Sequence, residues 1–585
     1  MDKNTIIAIV LSTIVIVAGF TVQATFFPPE KSIQTTEIQN AEQPSAVSAV
    51  NEVVSEQPSF IQSEETLTET ALDAGPVSEE RFLLETDLVK VEFSNQGGDI
   101  VSFKLKNHQD SDDLVEMADS ISQTNRAFSI ALGDHSSRPL QDYFNVKKID
   151  DASIGFYRTF AIKNSDGSQS LFTLAKQYTL IPGEYLLDVK ITVSGDTDFA
   201  GLPAGYTLKT SPQIGPEWNA KQDQYEYRRF YHLLNGKKKT VNVSAGQKSK
   251  VLTDPVSWAG VAGKYFALIA IPGTTPVSSY QYSAQAESAD ATVGQISLLR
   301  APITANKSTD NWLFYLGPRT EKNLTPYNLA VNNSLGLADL HLEQIVESSG
   351  ILGPLEVILK WIMELFYLII PNWGVSIILL TILMRALIFP LTKKSSEATH
   401  KMQELQPKIQ EIQTKYKANP QKMNEEMAKF YQTAGYNPLS GCLPMLIQFP
   451  LIFAMYGLFN NYFEFRGAMF IPGWIPDLSQ GDSLMTLPFT VPFVGWKNLR
   501  ILPIVYVISQ LLFGKVTQTP GSAQQNSSMK FMMYGMPLIF FFIFYNAPSG
   551  LLVYWIFSNV LTLIQQVVIN KMMEQKRSSS LKLVK

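Results

Sequence analysis

The sequence predicts a multi-domain membrane protein in which a large exported antiparallel β-sandwich precedes a five-helix membrane core. Three observations carry this. Apolar and polar residues alternate with period two from about Phe82 to Pro318, the pattern of half-buried strands. Long apolar runs recur through the last third of the 585 residues. Lysine and arginine gather in only some of the loops between those runs, which orients the chain across a bilayer. The balance of 48 basic against 52 acidic residues leaves no electrostatic footprint for nucleic acid. A single cysteine, Cys442, excludes an intramolecular disulfide and any paired-cysteine metal site.

The first element, residues 1–27, holds an apolar run from Ile6 to Phe20. It fits a cleavable signal peptide with Val22-Gln23-Ala24 as its cleavage site. It fits equally a retained anchor extended by Val22, Phe26 and Phe27. Either way Lys3 stays inside and the next segment is exported. Residues 28–81 are rich in Glu, Ser, Thr, Gln and Ala, with Phe60 the one aromatic before Arg81. Such a segment buries too little apolar surface to offset chain entropy and reads as a disordered tether.

The β-domain is expected over 82–345. Val89, Val91 and Phe93 alternate with Lys90 and Glu92. Leu187, Val189, Ile191 and Val193 alternate with Asp188, Lys190 and Thr192. Gly97-Gly98, Asp166-Gly167 and Asn235-Gly236 supply hairpin turns. His108, His135 and His232 are isolated from one another in sequence and read as core or surface residues, not metal ligands.

Residues 351–371 form an interfacial helix. Glu356, Lys360 and Glu364 fall on one face, and Trp361, Phe366 and Tyr367 add aromatic bulk, so the helix lies on the membrane with its apolar face down. A spanning helix here would export the loop after Lys393, which carries eight lysines and belongs inside.

The core spans 372–570. Its first apolar run, Trp373 to Leu391, is long enough for a hydrocarbon layer of about 30 Å. It carries Arg385, whose insertion costs at least roughly 2.5–3.5 kcal/mol. Snorkelling toward Lys393 relieves part of that, but Lys393 and Lys394 already anchor this end. A wet or polar interior is the stronger explanation. Residues 393–436 read as a cytoplasmic helical hairpin. Met402, Leu405, Ile409, Ile412 and Tyr416 follow three-four spacing on one arm, and Met423, Met427 and Phe430 continue on the other. Ala418-Asn419-Pro420 breaks the pair, and Pro407 should kink or interrupt the first arm. The stripes read first as mutual packing, while the methionines leave room for adaptable binding. Further spans are expected over Pro438–Phe459, around Ile501–Phe513, over Phe531–Phe544 and over Leu551–Ile569. Phe463 to Gly495 reads as an exported loop. The tail, 571–585, is basic and cytoplasmic.

No Walker-type loop, Gly-x-Ser-x-Gly elbow or His-Glu-x-x-His is present, so neither catalysis nor a cofactor is expected. The spans contain no acidic partner for Arg385, which weighs against a coupled transporter. Thr381, Gln448, Ser558, Asn559, Gln565 and Gln566 are the neutral polar groups. Singly each is helix-helix glue; with Arg385 they point to a wet concavity within the bilayer. A solute channel with an anion site and a glycan-binding envelope protein are the competing readings.

Several of these residues carry a family signature. The run Asn437-Pro438-Leu439-Ser440-Gly441-Cys442-Leu443-Pro444 to Gln448-Phe449-Pro450 resembles the third span of the YidC-type membrane protein insertases. Asn372-Trp373-Gly374 with Arg385 and Pro390-Leu391-Thr392 resembles their second span. Pro548-Ser549-Gly550 leading to Tyr554-Trp555 and Ser558-Asn559 resembles their last. Asn95 with Gly97-Gly98, and Trp258-Ala259-Gly260 with Lys264-Tyr265-Phe266, resemble the periplasmic domain of the Gram-negative branch. The resemblance implies a periplasmic β-supersandwich, a retained N-terminal anchor helix and a five-span α-helical insertase core in the cell inner membrane, with both termini cytoplasmic. It implies a substrate groove open to cytoplasm and lipid, formed around Arg385 with Thr381, Gln448, Tyr554, Trp555 and Asn559. It also implies a hairpin that receives nascent membrane proteins, here through Met402, Ile409, Met423 and Met427. A Sec translocase with its accessory subunits, a ribosome or targeting receptor, and the lipid bilayer are the implied partners.

Overall fold

The computed structural model of the chain describes residues 70–71 and 76–583, apart from 111–112, 164–168, 198, 219–224, 245–246, 286–291, 348–349, 436–442, 492–493 and 518–533. The anchor expected over 1–27 and most of the tether expected over 28–81 lie outside these residues, as does the Asp166-Gly167 turn. Thr70 and Ala71, inside the expected tether, pair antiparallel with Ala161 and Phe160. Two residues of main-chain pairing need no apolar side chain, so composition carries no sign of them.

The β-domain forms three antiparallel sheets around one hydrophobic core. The ten-stranded sheet runs from Thr70–Ala71 through Ser153–Lys163, Gln169–Leu180, Leu186–Gly195, Lys307–Pro318, Phe266–Ile271, Trp258–Ala262 and Arg229–Leu234 to Lys237–Val241, with Asn145–Lys148 beside Ser153–Lys163. A five-stranded sheet includes Val277–Gln285, Thr292–Arg300 and Tyr206–Lys209, and a four-stranded one runs from Arg81–Glu85 to Asp113–Glu116. The period-two pattern explains the packing: Leu187, Val189, Ile191 and Val193 are all buried, while Asp188, Lys190 and Thr192 between them are partly exposed. Gly97 and Gly98 have φ of 68° and 60° and turn the chain between Val89–Ser94 and Asp99–Asp110. A Cβ on Gly97 would collide with the Asp99 carboxylate, so glycine is required there by both conformation and space.

That carboxylate anchors a buried ion cluster. Asp99 accepts from Lys176 Nζ at 2.7 Å and from Arg126 Nε at 3.1 Å, and all three side chains are at most 5% exposed. Lys176 also donates to the carbonyls of Gly97 and Phe128, at 3.1 and 2.8 Å. Burial still pulls the Lys176 ammonium below its usual range, against the opposing pull of Asp99.

Among the described residues seven α-helices of eight residues or more follow: α1 (Gly353–Ile369), α2 (Trp373–Lys415), α3 (Pro420–Thr433), α4 (Leu443–Asn461), α5 (Leu502–Thr517), α6 (Met536–Ile543) and α7 (Ser549–Leu583). Asn372 caps α2 by accepting from Val375 N at 3.1 Å. Trp373 stacks on Tyr367 with centroids 4.0 Å apart, folding α1 back against α2. The polar face of α1 meets protein. Glu364 accepts from the Tyr462 hydroxyl at 3.0 Å and Lys360 sits over the same ring, so the polar side faces the helical unit. Val357, Trp361, Leu365 and Leu368 are exposed on the other side. The helix is amphipathic: protein meets Lys360 and Glu364, and the free apolar stripe is the one suited to lipid.

α2 runs through both Pro390 and Pro407 for 43 residues. Of the kink or interruption expected at Pro407, the interruption does not occur. Both prolines occupy exposed positions. Span and first hairpin arm are therefore one helix. Among the described residues two helices, within Trp373–Met402 and Ser549–Gln575, are long and apolar enough to cross a bilayer, and Leu502–Lys515 is a shorter apolar helix. Ile377 and Leu380 of α2, Met455 and Phe459 of α4, and Leu551 and Leu552 of α7 share a second hydrophobic core.

The two parts meet through the loop after α4. The Phe463 ring stands edge-on to His108, Phe266 and Tyr265, with centroids 5.4, 5.7 and 5.9 Å away. Arg466 donates to the Gln109 carbonyl, lies 3.7 Å from Asp110 and covers the Phe266 ring.

Candidate functional site

α2 and α7 lie side by side and run in the same direction, because successive residues of one meet successive residues of the other. Arg385 Nη2 donates to Ser558 Oγ. The Arg385 carbonyl accepts from Gln565 Nε2 at 2.9 Å. Ser396 Oγ donates to Gln566 Oε1 at 3.4 Å, and His400 Nε2 lies 3.5 Å from Asn570 Oδ1. Ser558, Gln565, Gln566 and Asn570 fall within one stripe of α7, so helical periodicity alone aligns them along the seam.

Arg385 carries a full charge at the start of this seam, within the apolar run of α2. Tyr554, one turn before Ser558 and 4% exposed, lies within its electrostatic reach. Among the described residues no carboxylate acts on Arg385. A guanidinium offers five N–H donors in a fixed fork, and a single hydroxyl takes up one of them. The cation is thus oriented but not neutralised.

The other expected groove residues are placed unevenly. Thr381, one turn before Arg385, is buried, and its hydroxyl donates to the Ile377 carbonyl at 2.6 Å within its own helix. Trp555 packs edge-on to Phe544 at 4.6 Å and lies 5.5 Å from the Tyr506 ring. Asn559 donates to Ser509 Oγ at 2.9 Å. Both therefore tie α7 to its α5 and α6 neighbours instead of facing Arg385. Gln448 is half-buried on α4, and among the described residues no hydrogen bond joins it to Arg385. The geometry brings Arg385 and Tyr554 together and adds Ser558 and Gln565. The four-residue step from Tyr554 to Ser558 on one helical face was the available signal for Ser558.

Comparison with known proteins gives the frame for this seam. The family model described as 60Kd inner membrane protein matches residues 365–576, and that of the YidC periplasmic domain matches 81–347. A membrane protein insertase YidC from Treponema denticola is 50% identical over 98% of this chain and 100% of its own length. One from Treponema pallidum is 42% identical, covering 98% of this chain and 99% of that protein. The chain belongs to the YidC family of membrane protein insertases. A crystal structure described as an active YidC insertase with the first transmembrane domain resolved aligns over 83% of this chain and 92% of its own, with 17% identity and a TM-score of 0.34. Membrane protein insertion is accordingly the function of this chain, and its β-rich part is the periplasmic domain.

In this YidC-family chain the hairpin packs through the stripes its sequence encodes. Ile409 is 2% exposed, and Met402, Leu405, Ile412 and Tyr416 on the same face of α2 are half-buried. Met423, Met427 and Phe430 of α3 are half-buried as well. Asn419 caps α3 by accepting from Lys422 N at 3.1 Å, and Lys429 pairs with Glu425 on the outer surface.

At the other end of α7, the segment Leu478–Asp482 lies across the helix start. Ser549 N and Oγ both donate to the Gln480 carbonyl at 2.6 Å, and Gly550 N donates to the Leu478 carbonyl at 2.9 Å. Asp482, 1% exposed, accepts from the N–H groups of Ile501 and Leu502 at 2.7 and 3.0 Å and from Trp474 Nε1 at 3.0 Å. A carboxylate at the start of α5 meets unpaired helix donors and the positive end of the helix dipole, which holds this segment in place.

Proposed function

We propose that the seam around Arg385 is one wall of a hydrophilic groove through which polar flanks of substrate segments cross the bilayer. The reading takes α2, α4, α5, α6 and α7 as five spans behind an N-terminal anchor. It places the α2–α3 hairpin and both termini in the cytoplasm and closes the groove at the periplasmic end. A hydrophobic substrate segment meets the hairpin first and the groove next, delivered alone, by a ribosome or targeting receptor, or beside a Sec translocase. The observation that carries the reading is Arg385 itself, held in an apolar span by a hydroxyl with no carboxylate among its described neighbours.

The energetics fit a lowered barrier. An acidic group about 4 Å from Arg385 at an effective dielectric near 20 gains about 4 kcal/mol before desolvation. That is comparable to the roughly 2.5–3.5 kcal/mol that an acidic residue costs at mid-membrane. An inside-negative potential adds about 2.3 kcal/mol per acidic charge per 100 mV for outward movement. Burial of the substrate's apolar helix in lipid, at roughly 25 cal/mol per Å², completes the step. Nucleotide hydrolysis by this chain has no part in it.

The test uses purified protein in liposomes with a single-span substrate bearing an acidic tail. Protease protection of the tail without flux of a solute tracer supports insertion through the groove. Unchanged protection with both Arg385→Ala and Arg385→Lys overturns the electrostatic role of Arg385.

A further inference from the structure

The Leu478–Asp482 segment has the seam's end on one side and an open space on the other. Ser479, Gln480 and Gly481 line a cavity of about 1190 Å³ between the periplasmic domain and the helical unit. On the groove reading, the segment is a septum between the seam's end and this cavity. Its close seat on α7 depends on Gly550, where a Cβ would stand 3.3 Å from the Leu478 carbonyl oxygen.

The cavity walls carry opposite charge. The periplasmic domain lines it with six carboxylates, Asp110, Asp113, Glu116, Asp119, Glu217 and Glu226, and one cation, Lys264; the helical unit contributes Arg466, Lys497 and Arg500. Several of these are already engaged. Asp110 lies against Arg466, and Glu116 accepts from Ser102, Phe103 N and Ala118 N at 2.5–2.8 Å. Lys497 is exposed. Arg500 donates through Nη1 to the Asp482 carbonyl at 3.0 Å, while its buried Nε has no acceptor among the described residues. Trp218 and Trp496 add flat apolar surface between the walls.

Resting on the insertion reading above, we infer that this cavity receives the translocated anionic tail of an inserted segment, with Arg500 and Lys497 as its seat. Arg385 lies twelve residues into α2 from Trp373, about 18 Å along the axis. An extended tail covers that span with about six residues. A carboxylate released by Arg385 thus meets a second pair of cations within one short stretch of chain. The carboxylates opposite keep an anionic tail on the helical wall. Passage requires the septum to release its hydrogen bonds to Ser549 and Gly550, so the tail is held on the far side when they re-form.

The experiment uses the full chain in liposomes and a single-span substrate with a benzophenone group in its tail, followed by mapping of the adducts. With an acidic tail, adducts are expected within residues 479–500. Their yield should fall roughly threefold in Lys497→Glu and in Arg500→Gln, the scale of one partly screened ion pair. A neutral tail should show no such fall. Lys497 is exposed, so its variant reports even if Arg500→Gln misfolds. Insertion with adducts elsewhere, or with yields indifferent to Lys497→Glu, overturns the receiving site and leaves the insertion reading standing. Failure of the unaltered chain to protect any tail overturns both.

Discussion

Ser558→Ala tests whether Arg385 works as an oriented cation or simply as a charge. The Ser558 hydroxyl takes one N–H of the guanidinium. A hydrogen bond to a charged group contributes about 1.5–3 kcal/mol. In a wet groove a water replaces the hydroxyl at an immobilisation cost of roughly 0–2 kcal/mol. A loss of about 1 kcal/mol in tail positioning is therefore expected, which slows insertion about fivefold. The effect should be confined to substrates with acidic tails, because a neutral tail gains nothing from the fork. In an Arg385→Gln background the Ser558 substitution should add no further loss, since the two residues act as a unit. The assay is the initial rate of tail protection in liposomes, for matched acidic and neutral substrates. Equal slowing of both tails, or full additivity with Arg385→Gln, refutes the positioning argument and makes Ser558 a packing residue.

Phe463→Ala should loosen the periplasmic domain from the helical unit without melting either. Three edge-on ring contacts at about 0.5–1.5 kcal/mol each are lost, so amide exchange should rise around Asn107–Asp110 and Gly263–Phe266 while the two hydrophobic cores stay protected. Lys176→Met should destabilise the periplasmic domain by about 1–3 kcal/mol in denaturant titration, because Asp99 keeps Arg126 while the buried Gly97 and Phe128 carbonyls lose their ammonium donor. Acid should also weaken this domain. Burial, aided by Arg466, holds the His108 imidazole down to about 4, and burial does the same to His135, against an ordinary value of 6.5. The unfolded chain binds these protons first, so stability is complete above pH 6.5 and is lost as the pH falls toward 4. Thermal unfolding between pH 7.5 and 4.5 should show this slope, and His108→Asn should flatten it.

The strands were legible because period two writes burial directly into the chain, as Leu187 to Val193 shows. Their order was not. Leu186–Gly195 pairs with Lys307–Pro318, and nothing local in either strand names so distant a partner. Arg385 announced itself by its cost in an apolar run; Ser558 was one of six neutral polar groups in the spans, and which of them meets the guanidinium shows only when two helices are laid side by side. The pattern of α1 gave two faces correctly but could not tell which would meet protein, since that depends on Tyr462 arriving from another helix. Phe463 is one aromatic in an aromatic-rich loop, and its role appears only when His108, Tyr265 and Phe266 converge on it. Asp482 is legible only as an acidic loop residue until it meets the exposed amides at the start of α5.

The unbroken α2 has a mechanical consequence. At 1.5 Å per residue its 43 residues make a rod about 64 Å long. One end is clamped by the Trp373–Tyr367 stack and the other carries the hairpin. Arg385 lies on the same continuous helix between them, five residues before Pro390. A load pressing sideways on α3 therefore arrives at the guanidinium as torque, shared with α7 through Ser558 and Gln565. A load on α3 and a strain on the seam are thus carried by one continuous helix.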